Sequence, residues 1–331
     1  MRVLFAGSPA IAVPSLEALY ALEGVELAGV LTNPDTPKGR HGTPQPTDVG
    51  EAAQSILLQF EGKRAAFSVL KPPKLDAPTR EQVSALGADL LVSFAYGRIF
   101  GPKFLALFPL GGINIHPSLL PKYRGPTPIQ AAILNRDAVT GITVQALAEE
   151  MDSGDILALE KLQLTGRETC GGLSALVAQK AAQMLPSVLR DLADAKAAGT
   201  PQNHGEASYC PLITREMGLL DWSLCAAEIE AKIRAFDPWP LCRTIHGGRE
   251  LFILKASVYE SPCACGQERN DAPGQVDMPG HVLGIDKQGG ILVQTGEGIL
   301  LVTQLQYQAK KALQWQDFLN GARDFIGSKL G

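Results

Sequence analysis

Short apolar runs closed by turn-forming residues dominate the first half of the chain. RVLFAG (2–7) ends at Gly7-Ser8-Pro9, and VELAGVLTN, AFSVL, ADLLVSFAY, GGINIH, GITVQALA and ILALEKLQL follow in order. Runs of this length, rich in Val, Ile and Leu, predict buried strands. Between most of them lie segments with helical spacing, such as AVPSLEALYAL (12–22). Strands alternating with helices predict a mostly parallel sheet covered on both faces, an α/β domain. Residues 33–48, with four prolines and two glycines, read as one long loop. An Ala- and Leu-rich helical stretch over about 172–198 closes the first domain, placed at 1–199.

The pattern then changes. GTPQNHGEASYCP has the composition of a linker, placed at 200–211, and a second domain is expected over 212–331. Its first element is a helix whose apolar face is Ala226, Ile229, Ile233 and Phe236, stopped by Pro238 and Pro240. RELFILKASV, GQVDMPGHVLGI and GILVQTGEGILLVTQLQ are strand-like, with TGEG as a hairpin turn. Many short strands with Gly-rich turns predict a small β-barrel. QWQDFLNGARDFIG is expected to end the chain as a short helix.

Composition narrows the function. The 45% apolar and 19% charged fractions describe a globular protein with a large core. A net charge of −4 argues against a protein that coats nucleic acid through bulk charge. Six scattered cysteines, only Cys263 and Cys265 close together, read as reduced structural thiols, and no metal site is expected. The N-terminal apolar run is broken by Gly7 and Pro9, too early for a signal core, and no stretch is long enough to span a membrane. The expectation is a soluble, cytoplasmic protein with no membrane partner.

No G-x-G-x-x-G follows the first strand, and no P-loop or G-x-S-x-G motif occurs. What remains is Asn114 and His116, two residues apart on one face of GGINIH, and the acidic turn AEEMDSGD with Asp152 and Asp155. α/β sheets bind ligands at the carboxyl ends of their strands, and the acidic turn is expected to fold back beside that end. An imidazole near a carboxylate and a carboxamide can move a proton while the amide holds an oxyanion. With no Ser or Cys nucleophile in the group, direct attack by an amine or water fits better than covalent catalysis. The same residues can also be structural: His116 and Asn114 as strand-end hydrogen-bonding groups, Asp152 in an Asx-turn.

NIHPSLLPKYRGPTPIQ followed by MDSGDIL resembles the signature of the folate-dependent formyltransferases. The resemblance extends through FAGSPAIAVPSLEAL, FAYGRI, LDWS…IRAFDPWP and the terminal AKKAL…DFLNGARDF block, and so through both domains. It implies a Rossmann-like first domain, an OB-like second domain, and 10-formyltetrahydrofolate as formyl donor. It implies Asn114, His116 and Asp152 as the catalytic trio, and folate contacts from Ser118, Leu119, Leu120 and Pro121 and from Phe94, Ala95 and Tyr96. The resemblance is strongest to members whose acceptor is initiator methionyl-tRNA, acting as a monomer. Lys38 and Arg40 of the long loop would then reach the acceptor end of the tRNA, and Lys310, Lys311 and Arg323 its body. Two rivals stand beside this: formyl transfer to a sugar-nucleotide amine, and a folate- or tRNA-binding protein without catalysis.

Overall fold

In a computed structural model, residues 1–37, 42–59, 66–194, 198–260, 278–287 and 289–331 are described. The chain divides into two compact units. The first comprises Met1–Ala132, Ala138–Leu164 and Gly172–Leu212, and the second Ile133–Asp137, Thr165–Gly171 and Ile213–Gly331.

The first unit follows the alternation of the sequence. Its elements are β1 (Arg2–Gly7), α1 (Val13–Ala21), β2 (Glu26–Leu31), the short pair β3 (Thr36–Pro37) and β4 (Pro44–Gln45), α2 (Asp48–Leu58), β5 (Ser68–Leu70), α3 (Ala77–Ala85) and β6 (Leu90–Phe94). They continue with α4 (Pro102–Leu105), β7 (Gly112–His116), α5 (Pro128–Leu134), β8 (Val139–Ala146), β9 (Ile156–Gln163) and α6 (Cys170–Ala193). Seven strands form one sheet in the order β5-β2-β1-β6-β7-β8-β9. β1, β2, β5, β6 and β7 run parallel, and β8 pairs antiparallel with both β7 and β9.

The central strands are apolar throughout because both faces are covered: Val3, Leu4, Phe5, Leu90, Leu91 and Val92 have no exposed surface. Helix starts use short polar side chains, with Thr47 Oγ1 accepting from the Gly50 amide at 3.0 Å at the head of α2. The chain winds from β1 outward to β5, then returns through β6 to the other side. The order of the sheet therefore reverses between β1 and β6, the place where open α/β sheets form a crevice.

The stretch 200–211, expected as a linker, packs within the first unit. Thr200 and Ile156 exchange backbone hydrogen bonds, and Arg124 donates to the Ser208 carbonyl and accepts from the Cys210 amide on either side of the strand-like bridge Arg124–Tyr209. Gln202 and Cys210 are buried. Polar composition did not make this segment a free connection, because its backbone and amide groups find partners on the sheet domain.

The second unit contains α7 (Ala226–Ala235), β10 (Cys242–His246), β11 (Arg249–Val258), β12 (Val282–Asp286), β13 (Gly290–Gln294), β14 (Ile299–Tyr307), β15 (Leu313–Gln314) and α8 (Trp315–Gly321). The apolar face read for α7 is inside: Ala226, Ile229 and Ile233 are buried, with Phe236 just beyond the helix. The strands are antiparallel in the order β10-β11-β14-β13-β12, with β15 on β14. This OB-like sheet is not closed by a ladder between β10 and β12 among the described residues. The chain end bridges the gap instead: Leu330 donates to Gly280 next to β12, and Gly331 donates to Ile245 in β10. β10, a strand of mixed polarity just past the prolines, was not anticipated from the sequence.

Candidate active site

β7 pairs with β6 on one side and β8 on the other, so it lies well inside the sheet. Ile113 and Ile115 turn into the core at 1% exposure each, and the alternation sends Asn114 and His116 to the opposite face. On β8, Gln145 lies opposite Asn114 and Thr143 opposite His116. The turn between β8 and β9 folds back across this face. It brings Asp152 beside Asn114 and His116, the last residue of β7.

Asp152 has φ of +54° and collects hydrogen bonds through both oxygens. Oδ1 accepts from Asn114 Nδ2 at 3.4 Å and from Gln145 Nε2 at 2.9 Å, and lies 3.5 Å from His116 Nδ1. Oδ2 accepts from the Gly125 amide at 2.8 Å. The fold-back depends on two glycines. A Cβ on Gly154 would lie 1.9 Å from the Ala146 carbonyl, and one on Gly125 would lie 2.5 Å from the Cys210 carbonyl. Neither position has room for a side chain.

His116 is 4% exposed. Its Nε2 lies 2.8 Å from the Tyr123 carbonyl, and a carbonyl only accepts, so Nε2 carries the proton. In the neutral ring this leaves a lone pair on Nδ1, facing Asp152. Burial pushes the imidazole below its ordinary value, opposed by the Asp152 charge and the Tyr123 carbonyl. Two acceptors thus face each other at 3.5 Å, and an N–H placed beside them would satisfy both.

The segment after His116 is fixed from below. Thr143 Oγ1 donates to the Ser118 carbonyl at 2.7 Å and accepts from the Leu120 amide at 3.2 Å. Ser118 Oγ donates to the Lys122 carbonyl at 2.6 Å, and the Leu120–Pro121 peptide is cis. Ser118 and Leu120 are buried, whereas Leu119 and Pro121 are half-buried, with Leu119 packed over Gly141 of β8. The residues expected at the end of β6 divide similarly. Phe94 and Tyr96 are buried, Tyr96 stacking on Phe100 at 5.3 Å, and only Ala95 between them is exposed. A ligand on this edge would meet their backbone, not their rings.

Several site residues were not singled out from the sequence. Asn33 Nδ2 ties the Ser8 hydroxyl and the Tyr96 carbonyl, both at 2.9 Å, joining the ends of β1, β2 and β6. Gln145, Gln202 and Arg124 are buried around Asp152. The available signal was polarity out of place: a Gln inside the apolar run GITVQALA, and an Arg inside the proline-rich loop PSLLPKYRGP that follows GGINIH.

Of the expected tRNA contacts, Lys310 and Lys311 are exposed in the turn after β14, and Arg323 is exposed just past α8. Lys38 and Arg40 lie outside the described residues, as do Cys263 and Cys265. Among the described residues no group of three or more His, Cys, Asp or Glu side chains could hold a metal ion. No helix among them is long and apolar enough to cross a membrane.

Residues 1–189 match the formyl transferase family, and residues 212–323 match the formyl transferase C-terminal domain. In fold, the chain is similar to HypX from Aquifex aeolicus in complex with tetrahydrofolic acid, with a TM-score of 0.61, 18% identity, and 98% of this chain and 48% of that one covered. It is also similar to WlaRD, a sugar 3N-formyl transferase, with a TM-score of 0.61, 17% identity, and 94% and 99% covered. The class is therefore a two-domain formyl transferase. Within it, the chain is 48% identical to a methionyl-tRNA formyltransferase of Treponema denticola over 98% of both chains. It is 38% identical to one of Borrelia hermsii over 99% of both. The chain belongs to the methionyl-tRNA formyltransferase family.

Proposed function

We propose that this protein moves a formyl group from 10-formyltetrahydrofolate to the amino group of initiator methionyl-tRNA, with Asn114, His116 and Asp152 carrying the chemistry. The observation behind this assignment is the 3.5 Å pair of acceptors, His116 Nδ1 and Asp152 Oδ1, with the Asn114 amide beside it. An amine attacks through its lone pair and must then lose a proton. The Nδ1 lone pair takes it, directly or through a water, and the adjacent carboxylate stabilises the imidazolium that forms. Asn114 Nδ2 has two N–H groups, and only one is directed at Asp152. The other donates to the oxyanion that develops on the formyl oxygen. Collapse breaks the bond from the formyl carbon to folate N10, and the imidazolium returns its proton to that nitrogen. The products are the N-formyl amine and tetrahydrofolate, with neutral His116 restored.

The donor lies against the half-buried Leu119 and Pro121 and the backbone at Ala95. Lys38 and Arg40 serve the acceptor end of the tRNA, while Lys310, Lys311 and Arg323 meet phosphates of its body. All these groups come from one chain, and the working form is read as a cytoplasmic monomer.

Incubation with labelled 10-formyltetrahydrofolate and either methionyl-tRNA or a 4-amino sugar nucleotide tests the assignment. Label is expected in N-formylmethionyl-tRNA alone. Transfer only to the sugar nucleotide would overturn the acceptor, and binding without transfer would overturn the chemistry.

A further inference from the structure

Arg124 is 2% exposed, yet the four hydrogen bonds of its guanidinium go to neutral groups. Nε and Nη2 donate to Gln202 Oε1 at 3.2 and 2.7 Å, Nη1 to the Tyr209 hydroxyl at 3.3 Å, and Nη2 to His204 Nδ1 at 3.0 Å. Gln202 continues the line. Its Nε2 donates its two hydrogens to the carbonyls of Asp152 and Gly154 at 2.9 and 2.7 Å, one of them shared with Gln145 Oε1 at 3.3 Å. Gln145 Nε2 then donates to Asp152 Oδ1 at 2.9 Å.

The direction of this chain has no alternative. A guanidinium only donates and a carbonyl only accepts, so the Gln202 oxygen must face Arg124 and its NH2 must face the Asp152 turn. With that NH2 fixed, Gln145 presents its oxygen to Gln202 and its own NH2 to the carboxylate. Two primary amides thus run head to tail from a buried cation to Asp152. Hydrogen bonds so aligned polarise one another in a low-dielectric interior. The other end of Arg124 serves the same carboxylate, since the next residue, Gly125, donates its amide to Oδ2.

We infer that Gln202 and Gln145 are positioning residues for Asp152, polarised by Arg124, and that the 200–211 stretch is a strap completing the active site. This rests on the role given to Asp152 above. Gln202 holds the backbone of the positive-φ turn on both sides of Ser153, and Gln145 holds the carboxylate itself. Without them the turn keeps its glycine-dependent path, but Asp152 loses its set distance from His116 Nδ1. Small displacements of a catalytic group can cost up to about 100-fold in rate.

The test compares Gln202→Met and Gln145→Leu, each alone and in an Asp152→Ala background, on full-length protein with methionyl-tRNA and 10-formyltetrahydrofolate. Alone, each should lower kcat on the order of 10- to 100-fold with both KM values within about twofold. In the Asp152→Ala background each should cost less than about twofold more, because the group it positions is gone. Losses of equal size in both backgrounds, or wild-type kcat in the single variants, would overturn the positioning role. A melting temperature lowered without change in kcat would do the same, reducing the amides to packing. Should Gln202→Met not fold, Gln145→Leu, in the interior of β8, reads the same carboxylate. If Asp152→Ala alone keeps wild-type kcat, the catalytic assignment fails and the positioning role falls with it. An impaired Asp152→Ala with additive losses sinks the positioning role only.

Discussion

A single hydrogen bond sets the chemistry available to His116. Because Nε2 is committed to the Tyr123 carbonyl, the ring offers Nδ1, and burial keeps that nitrogen unprotonated at neutral pH. Asn114→Ala, His116→Ala and Asp152→Ala should each lower turnover by about 100-fold or more, with the fold retained by circular dichroism. The pH dependence follows from the direction of the shift. The folded-state value of His116 lies below its unfolded value, so at acid pH the unfolded chain binds more protons. Stability is therefore full above the ordinary histidine value and is lost as pH falls from there through the lower folded-state value. Activity that needs the free Nδ1 lone pair falls in the same direction. Asp152→Asn removes the charge that raises the His116 value, so the acid limb of its residual rate should move to lower pH. A limb that moves upward would remove the carboxylate's influence from the mechanism.

Among the elements, β8 carries more of the site than its sequence announces. Thr143 holds the Ser118–Leu120 backbone in place and Gln145 holds Asp152, while Ile142 and Val144, which alternate with them, are fully buried on the other face. Thr143→Val keeps the shape but leaves a carbonyl and an amide unsatisfied, costing about 1–3 kcal/mol. It should lower the melting temperature and raise KM for 10-formyltetrahydrofolate more than KM for methionyl-tRNA. Equal effects on both substrates would separate this loop from the folate site. The strands themselves were legible, since RVLFAG, GGINIH and RELFILKASV coincide with or contain observed strands. β10 was not, because CRTIH alternates buried and partly exposed positions without an apolar run to mark it. The expected terminal helix stops at Gly321, and the residues after it turn back toward the sheet that the last four complete.

Across the whole molecule, charge gives little guidance to a nucleic-acid substrate: the chain is net −4, so the tRNA must be held by local groups. Lys310 and Lys311 stand exposed together and follow Ala309, which has φ of +61°. Lys310→Ala with Lys311→Ala should weaken tRNA binding and reduce the slope of log affinity against log salt by about one unit per lost phosphate contact. Folate affinity should not change. Unaltered binding across a salt series would move the tRNA surface elsewhere.

Local pattern was enough for the α/β alternation, the antiparallel strands that follow it, the face of α7 and the pair Asn114–His116, because each depends on residues a few positions apart. The acidic turn offered Asp152 and Asp155 beside that pair, and the family resemblance singled out Asp152. Tertiary structure alone decided three further things. It turned Phe94 and Tyr96 inward and left Ala95 as the exposed residue of that segment. It made a segment with linker composition into a strap, since Gln202 is 57 residues from Gln145 in the chain. It also chose the tautomer of His116 through Tyr123, whose carbonyl is aimed by a backbone at φ of +59°. Each of these depends on which partner a polar group finds after folding, and the amino-acid pattern states the need for a partner without naming it.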